Sequence, residues 1–194
     1  MALPPLFGDK SSDSLFKKEK KMKKPTPIDE EIILDSKRYI ISETDAKGKI
    51  TYANDYFMEI SGYSEDELIG KAHNIVRHPD MPKVVFKLLW ETISQGKNIN
   101  AVVKNMAKDG RYYWIFTEFE ARKDADGEIV GYRADRKSIS PHILEIIAGL
   151  YGKLLAIEQK DGVEASEKYL VEFLKERGDD IEFADIMEEI HRFY

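Results

Sequence analysis

Residues 38–62, RYIISETDAKGKITYANDYFMEISG, decide the fold, because a hairpin passes directly into a capped helix within this one stretch. Residues 38–44 are rich in β-forming side chains, and after the turn DAKG residues 49–53 resume the same pattern. Asn54 follows as a candidate N-cap for a short helix that ends at Gly62. The stretch therefore predicts a β-hairpin followed by a short helix.

Two further helices are predicted immediately downstream. Ser64 and Glu67 form a capping-box pattern, which opens a short helix that ends at Gly70. Residues 82–95 then predict a longer helix, since Pro82 suits a first helical turn and Gly96 can supply a left-handed end.

Three long β-rich segments come next. They cover residues 99–107, 111–122 and 128–138, and the sequences KDG and DADG separate them. Asp-Gly between β-rich segments is typical of hairpins. The order ββαααβββ predicts an α+β fold, a five-stranded antiparallel sheet with short helices on one face.

The two ends of the chain differ from this middle block in charge and pattern. Residues 1–35 contain two proline pairs or near-pairs and little apolar periodicity, so we expect a mostly disordered, lysine-rich segment. Residues 36–140 form the predicted domain. Residues 141–194 carry 13 Asp and Glu against 6 Lys and Arg, and their apolar residues recur at helical spacing. We expect an acidic helical extension there.

Composition excludes several classes of function. The 194 residues include no cysteine, which excludes disulfides, thiolate metal sites and cysteine nucleophiles. No apolar run approaches the roughly 20 residues that span a bilayer, so we expect a cytoplasmic protein. The nearly balanced middle block offers no broad basic face for nucleic acid. We also expect no enzymatic activity and no metal site, because no nucleophile, base or ligand set converges on one loop.

Several short motifs occur in the same order here as in one known protein family. The likeness covers residues 38–138 and resembles the PAS domain of bacterial aerotaxis and energy-taxis receptors, which bind FAD non-covalently. The motifs that carry it are NDYF at 54–57, SGYS at 61–64, ELIG at 67–70 and NIVRHPDMP at 74–82, followed by Phe86, Trp90, Asn105 and Trp114. The resemblance implies a PAS fold and a flavin-based redox sensor.

The resemblance also implies which residues contact the cofactor. Arg77 would meet the diphosphate, Phe86 and Trp90 would form an apolar wall for the flavin ring, and Asn105, on a predicted central strand, would meet the ring edge. The full set of implied FAD-binding residues is Asn54, Arg77, His78, Asp80, Phe86, Trp90 and Asn105.

Each of these residues also has a purely structural interpretation. Arg77 and Asp80 could form a local ion pair, with Asp80 capping the next helix. Phe86 and Trp90 lie four residues apart on a predicted helix, and such a pair commonly packs into a core. Asn54 is explained equally well by helix capping.

Three hypotheses for function follow. The first is a cytoplasmic FAD-binding redox sensor that signals to a separate membrane-bound chemoreceptor in aerotaxis or energy taxis. The second is a cofactor-free interaction module, and the third is a haem-based oxygen sensor, for which His73 and His78 are the nearest candidate ligands. The acidic extension would dock on a basic partner, cap the domain or support a homodimer. Lysines between Lys17 and Lys24 would contact an anionic membrane surface weakly, at the inner face of the cell membrane.

Overall fold

The computed structural model of the protein describes residues 24–178 and 181–192. The predicted α+β class and the five-stranded antiparallel sheet are confirmed, and strand and helix bounds lie close to those predicted. The sequence pattern did not reveal a 3₁₀ helix at His73–Val76. In chain order the elements are β1 Ile40–Asp45, β2 Ile50–Ala53, α1 Asp55–Ser61, α2 Glu65–Leu68, α3 Lys83–Ile93, β3 Ile99–Met106, β4 Tyr112–Lys123, β5 Ile129–Lys137, α4 Pro141–Asp161, α5 Val163–Lys175 and α6 Phe183–His191.

The strands lie in the order β2-β1-β5-β4-β3, with every neighbouring pair antiparallel. The last strand therefore returns to the middle of the sheet and pairs with the first. This order corrects one prediction, because β3, which carries Asn105, is an edge strand and not a central one. Periodicity shows which residues share a strand face, but it carries no information on which strands are neighbours.

Helices α1, α2 and α3 lie against one face of the sheet, which we call the inner face. Tyr56 and Phe57 of α1 and Val85 and Leu89 of α3 are buried in the shared core. The caps of α1 and α2 are those predicted: the Asn54 side chain accepts from the Phe57 amide, and α2 has its capping box. Helices α1 and α2 contact β1 and β2, whereas α3 lies against β3 and β4.

The C-terminal helices cover much of the opposite, outer face. On β4, Trp114 lies 6.3 Å from Tyr151 of α4, and Phe116 lies 5.6 Å from His191 of α6, measured between ring centroids. The Tyr151 hydroxyl also donates to the Val102 carbonyl of β3 at 2.9 Å. Because alternate residues of a strand point to opposite faces, Trp114 and Phe116 share the outer face. The part of the sheet formed by β3 and β4 thus lies between two layers of helices.

A short N-terminal segment, residues 28–34, extends the sheet, and we call it the strap. The Ile28 amide donates to the Gly110 carbonyl at 2.9 Å, and the Ile32 amide donates to the Tyr112 carbonyl at 2.7 Å. The Tyr112 amide in turn donates to the Glu30 carbonyl at 3.0 Å. This ordered pairing differs from the irregular segment expected for residues 1–35, of which residues 1–23 lie outside the described residues.

The strap forms because the start of β4 has an open side. Pairing between β4 and β5 begins only at Phe116 and Lys137, so the backbone at Tyr112 has no β5 partner. Gly110 permits the approach of the N-terminal segment: a Cβ there would lie 2.2 Å from the carbonyl oxygen of Thr26.

Candidate ligand cavity

A cavity of about 80 Å³ lies between α3 and the inner face of the sheet. A single buried water needs only about 10–15 Å³, so this space is larger than a packing defect. Four of the residues implied by the resemblance line it: Arg77, Phe86, Trp90 and Asn105.

The wall on the helix side is aromatic. Phe86 and Trp90 lie one turn apart on α3, as predicted, and both face the cavity. The Trp90 ring meets the Tyr132 ring edge-on, with centroids 5.3 Å apart. The Arg77 guanidinium lies 3.8 Å from the centroid of Phe86, which is a cation–π contact. The cavity therefore has flat apolar surfaces with a positive charge at one side.

The loop before α3 is fixed by the edge of the sheet. Arg77 forms an isolated backbone bridge with Asn105, and the Lys104 amide donates to the Met81 sulfur at 3.1 Å. Both contacts use backbone groups that an edge strand leaves unpaired. The edge position of β3, which the sequence did not predict, is thus what holds Arg77 at the cavity.

Two residues of the lining each carry a buried polar atom that has no hydrogen-bond partner among the described residues. These atoms are the indole Nε1 of Trp90 and the Oγ1 of Thr117. A buried donor without a partner costs about 1–3 kcal/mol. A ligand with acceptor atoms on a flat ring would satisfy both, so these residues fit a heteroaromatic group such as an isoalloxazine. Side chains at a binding site commonly change rotamer on binding, which is how a three-ring group would be accommodated.

A buried arginine lies on the sheet side of the cavity. Arg136 is 3% exposed, and its guanidinium donates to Ser42 Oγ at 3.0 Å, to the Ala134 carbonyl at 3.1 Å and to His73 Nε2 at 2.8 Å. All of these acceptors are neutral. Burial lowers the pKa of Arg136 to about 10, so the group remains charged at neutral pH. A buried charge with neutral acceptors favours an anionic or electron-rich ligand.

The same contacts define the tautomer and the protonation state of His73. Arginine can only donate, so His73 Nε2 is an acceptor and its ring proton, in the neutral form, lies on Nδ1. Burial, followed by the charge of Arg136, lowers the pKa of His73 to about 3. His73 is therefore neutral, and its Nε2 is already used by Arg136 and by Ser42 at 3.0 Å. This occupancy disfavours His73 as an axial haem ligand.

Asn54 lies outside the cavity lining and ties two elements together. Its Oδ1 accepts from the amides of Phe57 and Ile41, each at 3.0 Å, and its Nδ2 donates to the Tyr39 carbonyl at 2.8 Å. The side chain is fully used by helix capping and by the contact between α1 and β1. The capping interpretation accounts for Asn54 in this structure.

His78 and Asp80 also lie outside the lining. His78 is 2% exposed, and its Nδ1 accepts from the Asp80 amide at 3.1 Å. The Asp80 carboxylate lies 3.4 Å from Lys104 Nζ, so it does not form the local ion pair with Arg77 that we considered. Both residues shape the loop that carries Arg77.

The lining also contains polar residues that the sequence did not assign to the flavin site, among them Ser42, His73, Thr117 and Arg136. The two-residue periodicity of a strand could have predicted that Arg136 faces the cavity. Ala134 and Arg136 are two residues apart, so both point to the inner face once Ala134 is assigned there. His73 had no such signal, because its position depends on how the 3₁₀ helix packs.

Metal-ligating clusters and membrane-spanning helices are both absent from the described part of the chain. Within residues 24–178 and 181–192, no group of three or more His, Asp or Glu side chains could hold a metal ion. No helix in those same ranges has the length and apolar character to cross a membrane.

Comparison with known proteins agrees with this geometry. Residues 50–134 match the PAS fold family. These residues have the PAS fold. The predicted resemblance is confirmed by the aerotaxis receptor of Escherichia coli K12, which is 38% identical over 117 residues, covering 60% of this chain and 23% of the receptor. A nitrogen fixation regulatory protein of Klebsiella pneumoniae is 30% identical over 100 residues, covering 52% of this chain and 20% of that protein. The chain thus spans less than a quarter of the length of either relative.

Solved structures share the PAS fold. A light-oxygen-voltage domain studied with a flavin analogue superposes with a TM-score of 0.50 at 22% identity, covering 57% of this chain and 83% of that one. An RNA-binding light-oxygen-voltage receptor superposes with a TM-score of 0.51 at 18% identity, covering 58% of this chain and 34% of the receptor. At these identities the likeness concerns the fold alone.

Proposed function

We propose that this protein is a redox sensor whose PAS domain binds FAD non-covalently in the cavity and signals to a separate chemotaxis receptor in aerotaxis or energy taxis. The observation that carries the proposal is the pair of buried donors, Trp90 Nε1 and Thr117 Oγ1, that lack partners at a cavity walled by aromatic rings. The relationship to the aerotaxis receptor supports it.

Each side of the cavity suits one part of such a ligand. Phe86 and Trp90 offer flat contact to the ring system, and Asn105 offers an amide that can either donate or accept. Arg77 and Arg136 are cations at the cavity, suited to diphosphate and to electron-rich ring atoms respectively. Bound FAD would supply reversible uptake of electrons and protons. Asn105 can exchange donor and acceptor roles, so it is the side chain best suited to respond to that change.

The response must be passed to another protein. The C-terminal helices and their excess of acidic residues offer a surface for a basic receptor domain, and self-association through them is the alternative arrangement. We place the protein in the cytoplasm, with residues 17–24 as the part that contacts an anionic membrane surface near the receptor.

The test is an absorbance spectrum of freshly purified protein before and after dithionite. The proposal predicts the visible bands of oxidised flavin, bleached on reduction, and release of FAD on denaturation. An intense Soret band would instead establish haem, and a colourless protein that takes up no added FAD would leave the cofactor-free interaction module.

Substitutions assign the site within the same experiment. Trp90→Ala and Arg77→Ala should each lower the flavin content several-fold while the far-UV circular dichroism stays unchanged. Arg38→Ala is the matched control, because Arg38 also stacks on an aromatic ring, Tyr56 at 3.8 Å, but lies outside the cavity lining. Normal flavin content in both cavity variants would contradict the assignment.

A further inference from the structure

Helix α3, which walls the cavity, begins without a cap from its own sequence. Its N-cap residue is Pro82, which has no side-chain hydrogen-bonding group, and its first turn contains no acidic residue. The first amides of a helix have no partner within the helix and need one from elsewhere. A distant part of the chain must therefore supply the cap.

Glu158 of α4 supplies it. Its Oε2 accepts from the Lys83 amide at 2.9 Å, and its Oε1 accepts from the Val84 amide at 2.8 Å. The Ser166 hydroxyl of α5 donates to Oε1 at 3.4 Å, which fixes the carboxylate from the other side. A carboxylate at this position interacts favourably with the helix dipole and forms charge-assisted hydrogen bonds.

The capped turn is directly connected to the cavity. Phe86 lies just after Val84 on α3, and the Arg77 guanidinium stacks on Phe86 at 3.8 Å. Burial lowers the pKa of Arg77, and the nearby negative charge of Glu158 opposes that shift. Glu158 thus stabilises both the start of α3 and the cation beside it.

We propose that Glu158 is a positioning residue of the ligand cavity, which holds the first turn of α3 in place and thereby links ligand binding to the docking of α4 and α5. The inference rests on the proposed function, since the ligand is the FAD proposed above. A first turn that is ordered in advance costs the ligand less ordering free energy. By reciprocity, a bound ligand must stabilise the contact of Glu158 with α3 to the same extent.

The test combines FAD titration with hydrogen exchange of the full-length protein. In wild-type protein, FAD should slow exchange at residues 83–86 and also in α5. Glu158→Gln should weaken FAD binding about tenfold, an effect of the size of a lost helix cap. It should also abolish the FAD-dependent protection of α5.

Glu167→Gln is the matched control. Glu167 forms an ion pair with Lys87 across the same contact between α5 and α3, but it does not reach the first turn of α3. This variant should bind FAD as wild type does and keep the protection of α5.

A second variant separates positioning from simple loss of stability. Pro82→Asp places a local carboxylate at the N-cap, where the backbone is already extended. Added to Glu158→Gln, it should restore FAD affinity, because α3 is capped again, without restoring protection of α5, because the link to α4 remains broken.

Three results would overturn the inference. Wild-type FAD affinity in Glu158→Gln, with protection of α5 retained, would overturn it and leave the proposed function intact. Recovery of both FAD affinity and α5 protection in the double variant would show that Glu158 only stabilises the fold and does not link the ligand to α5. A wild-type protein that takes up no FAD would overturn the proposed function, and this inference with it.

Discussion

Thr117 and Trp90 line the cavity, and each carries a buried hydrogen-bonding atom that has no partner among the described residues. Such atoms reduce the stability of the empty protein and increase its affinity for a ligand that satisfies them. The same side chains therefore act in opposite directions on folding and on binding, and substitution can separate the two effects.

Thr117→Val removes the buried hydroxyl but keeps the shape of the side chain. We expect the ligand-free variant to be at least as stable as wild type in urea denaturation, because the unsatisfied hydroxyl at position 117 is gone, and to bind FAD more weakly. Thr117→Ser, which keeps the hydroxyl, is the control for affinity. Equal FAD affinity in the valine variant and wild type would show that Oγ1 does not face the ligand.

His73 should make stability depend on pH. Its folded pKa of about 3 lies below the ordinary value of 6.5, so the unfolded chain binds more protons between those values. Stability is therefore fully present above pH 6.5 and falls as the pH is lowered towards 3, by up to about 1.4 kcal/mol per pH unit.

The measurement for His73 is the free energy of unfolding in urea at pH 7 and pH 5. His73→Gln keeps an acceptor for Arg136 but does not titrate, so its slope should be smaller by the contribution of His73. Burial also lowers the pKa of His78, which leaves a residual slope in the variant. Identical slopes in the two proteins would contradict the buried, neutral state of His73.

The sequence predicted some residues of the cavity correctly and missed others. Phe86 and Trp90 were predicted on one helix face because helical spacing is local, and the structure places both at the cavity. Arg136 was missed because it joins the site only when β5 pairs between β1 and β4. Asn54 was ambiguous, since one amide can cap a helix or contact a ligand, and only its three hydrogen bonds separate these roles.

At the level of elements, local patterns predicted nearly every strand and helix, but not their neighbours. The bounds of β4, Tyr112–Lys123, lie within one residue of the predicted 111–122, because its β-rich pattern and the Asp-Gly turns beside it are local signals. The strap was missed, because its pairing depends on the open side of β4 and not on a pattern of its own. The edge position of β3 was also missed, because a local pattern does not show which strands are neighbours in the sheet.

Gly110→Ala tests the strap. The added Cβ would lie 2.2 Å from the Thr26 carbonyl oxygen, and the backbone φ of +99° also disfavours a side chain. We expect the strap to detach, seen as faster proteolysis within residues 24–35 and a lower melting temperature. Gly127→Ala is the control, because its φ of +86° carries the same backbone strain while no atom lies within 4 Å of the added Cβ. Equal proteolysis in the two variants would show that the close contact with Thr26 is unimportant.

At the scale of the whole molecule, the C-terminal extension is part of the folded unit. Leu154 is 0% exposed, and Ile147, Tyr151 and Met187 are buried in the same continuous core as the sheet. The sequence predicted helices there and left three roles open, namely docking on a basic partner, capping the domain and supporting a homodimer; the burial of these side chains agrees with capping. Its packing over β3 and β4 is a long-range contact that no local pattern specifies.

Truncation at residue 140 should therefore affect more than signalling. Removing α4, α5 and α6 exposes Trp114 and Phe116 on the outer face, so we expect the truncated protein to self-associate in sedimentation velocity. Leu154→Ala is a milder test and should cost about 2–5 kcal/mol in urea denaturation. A truncated protein that stays monomeric and as stable as the full chain would show that the extension is an independent unit.

Residues 77–81 cover the C-terminal end of β3, because Arg77 bridges to Asn105 and Met81 accepts from the Lys104 amide. An incoming strand from another molecule finds those backbone groups already occupied, and at the opposite edge the Ile50 amide of β2 is bound by the Lys71 carbonyl. Blocked edges are how natural sheets resist growth into fibrils. The loop that presents Arg77 to the cavity thus also protects the protein against aggregation, so mutations that release this loop should reduce solubility as well as ligand binding.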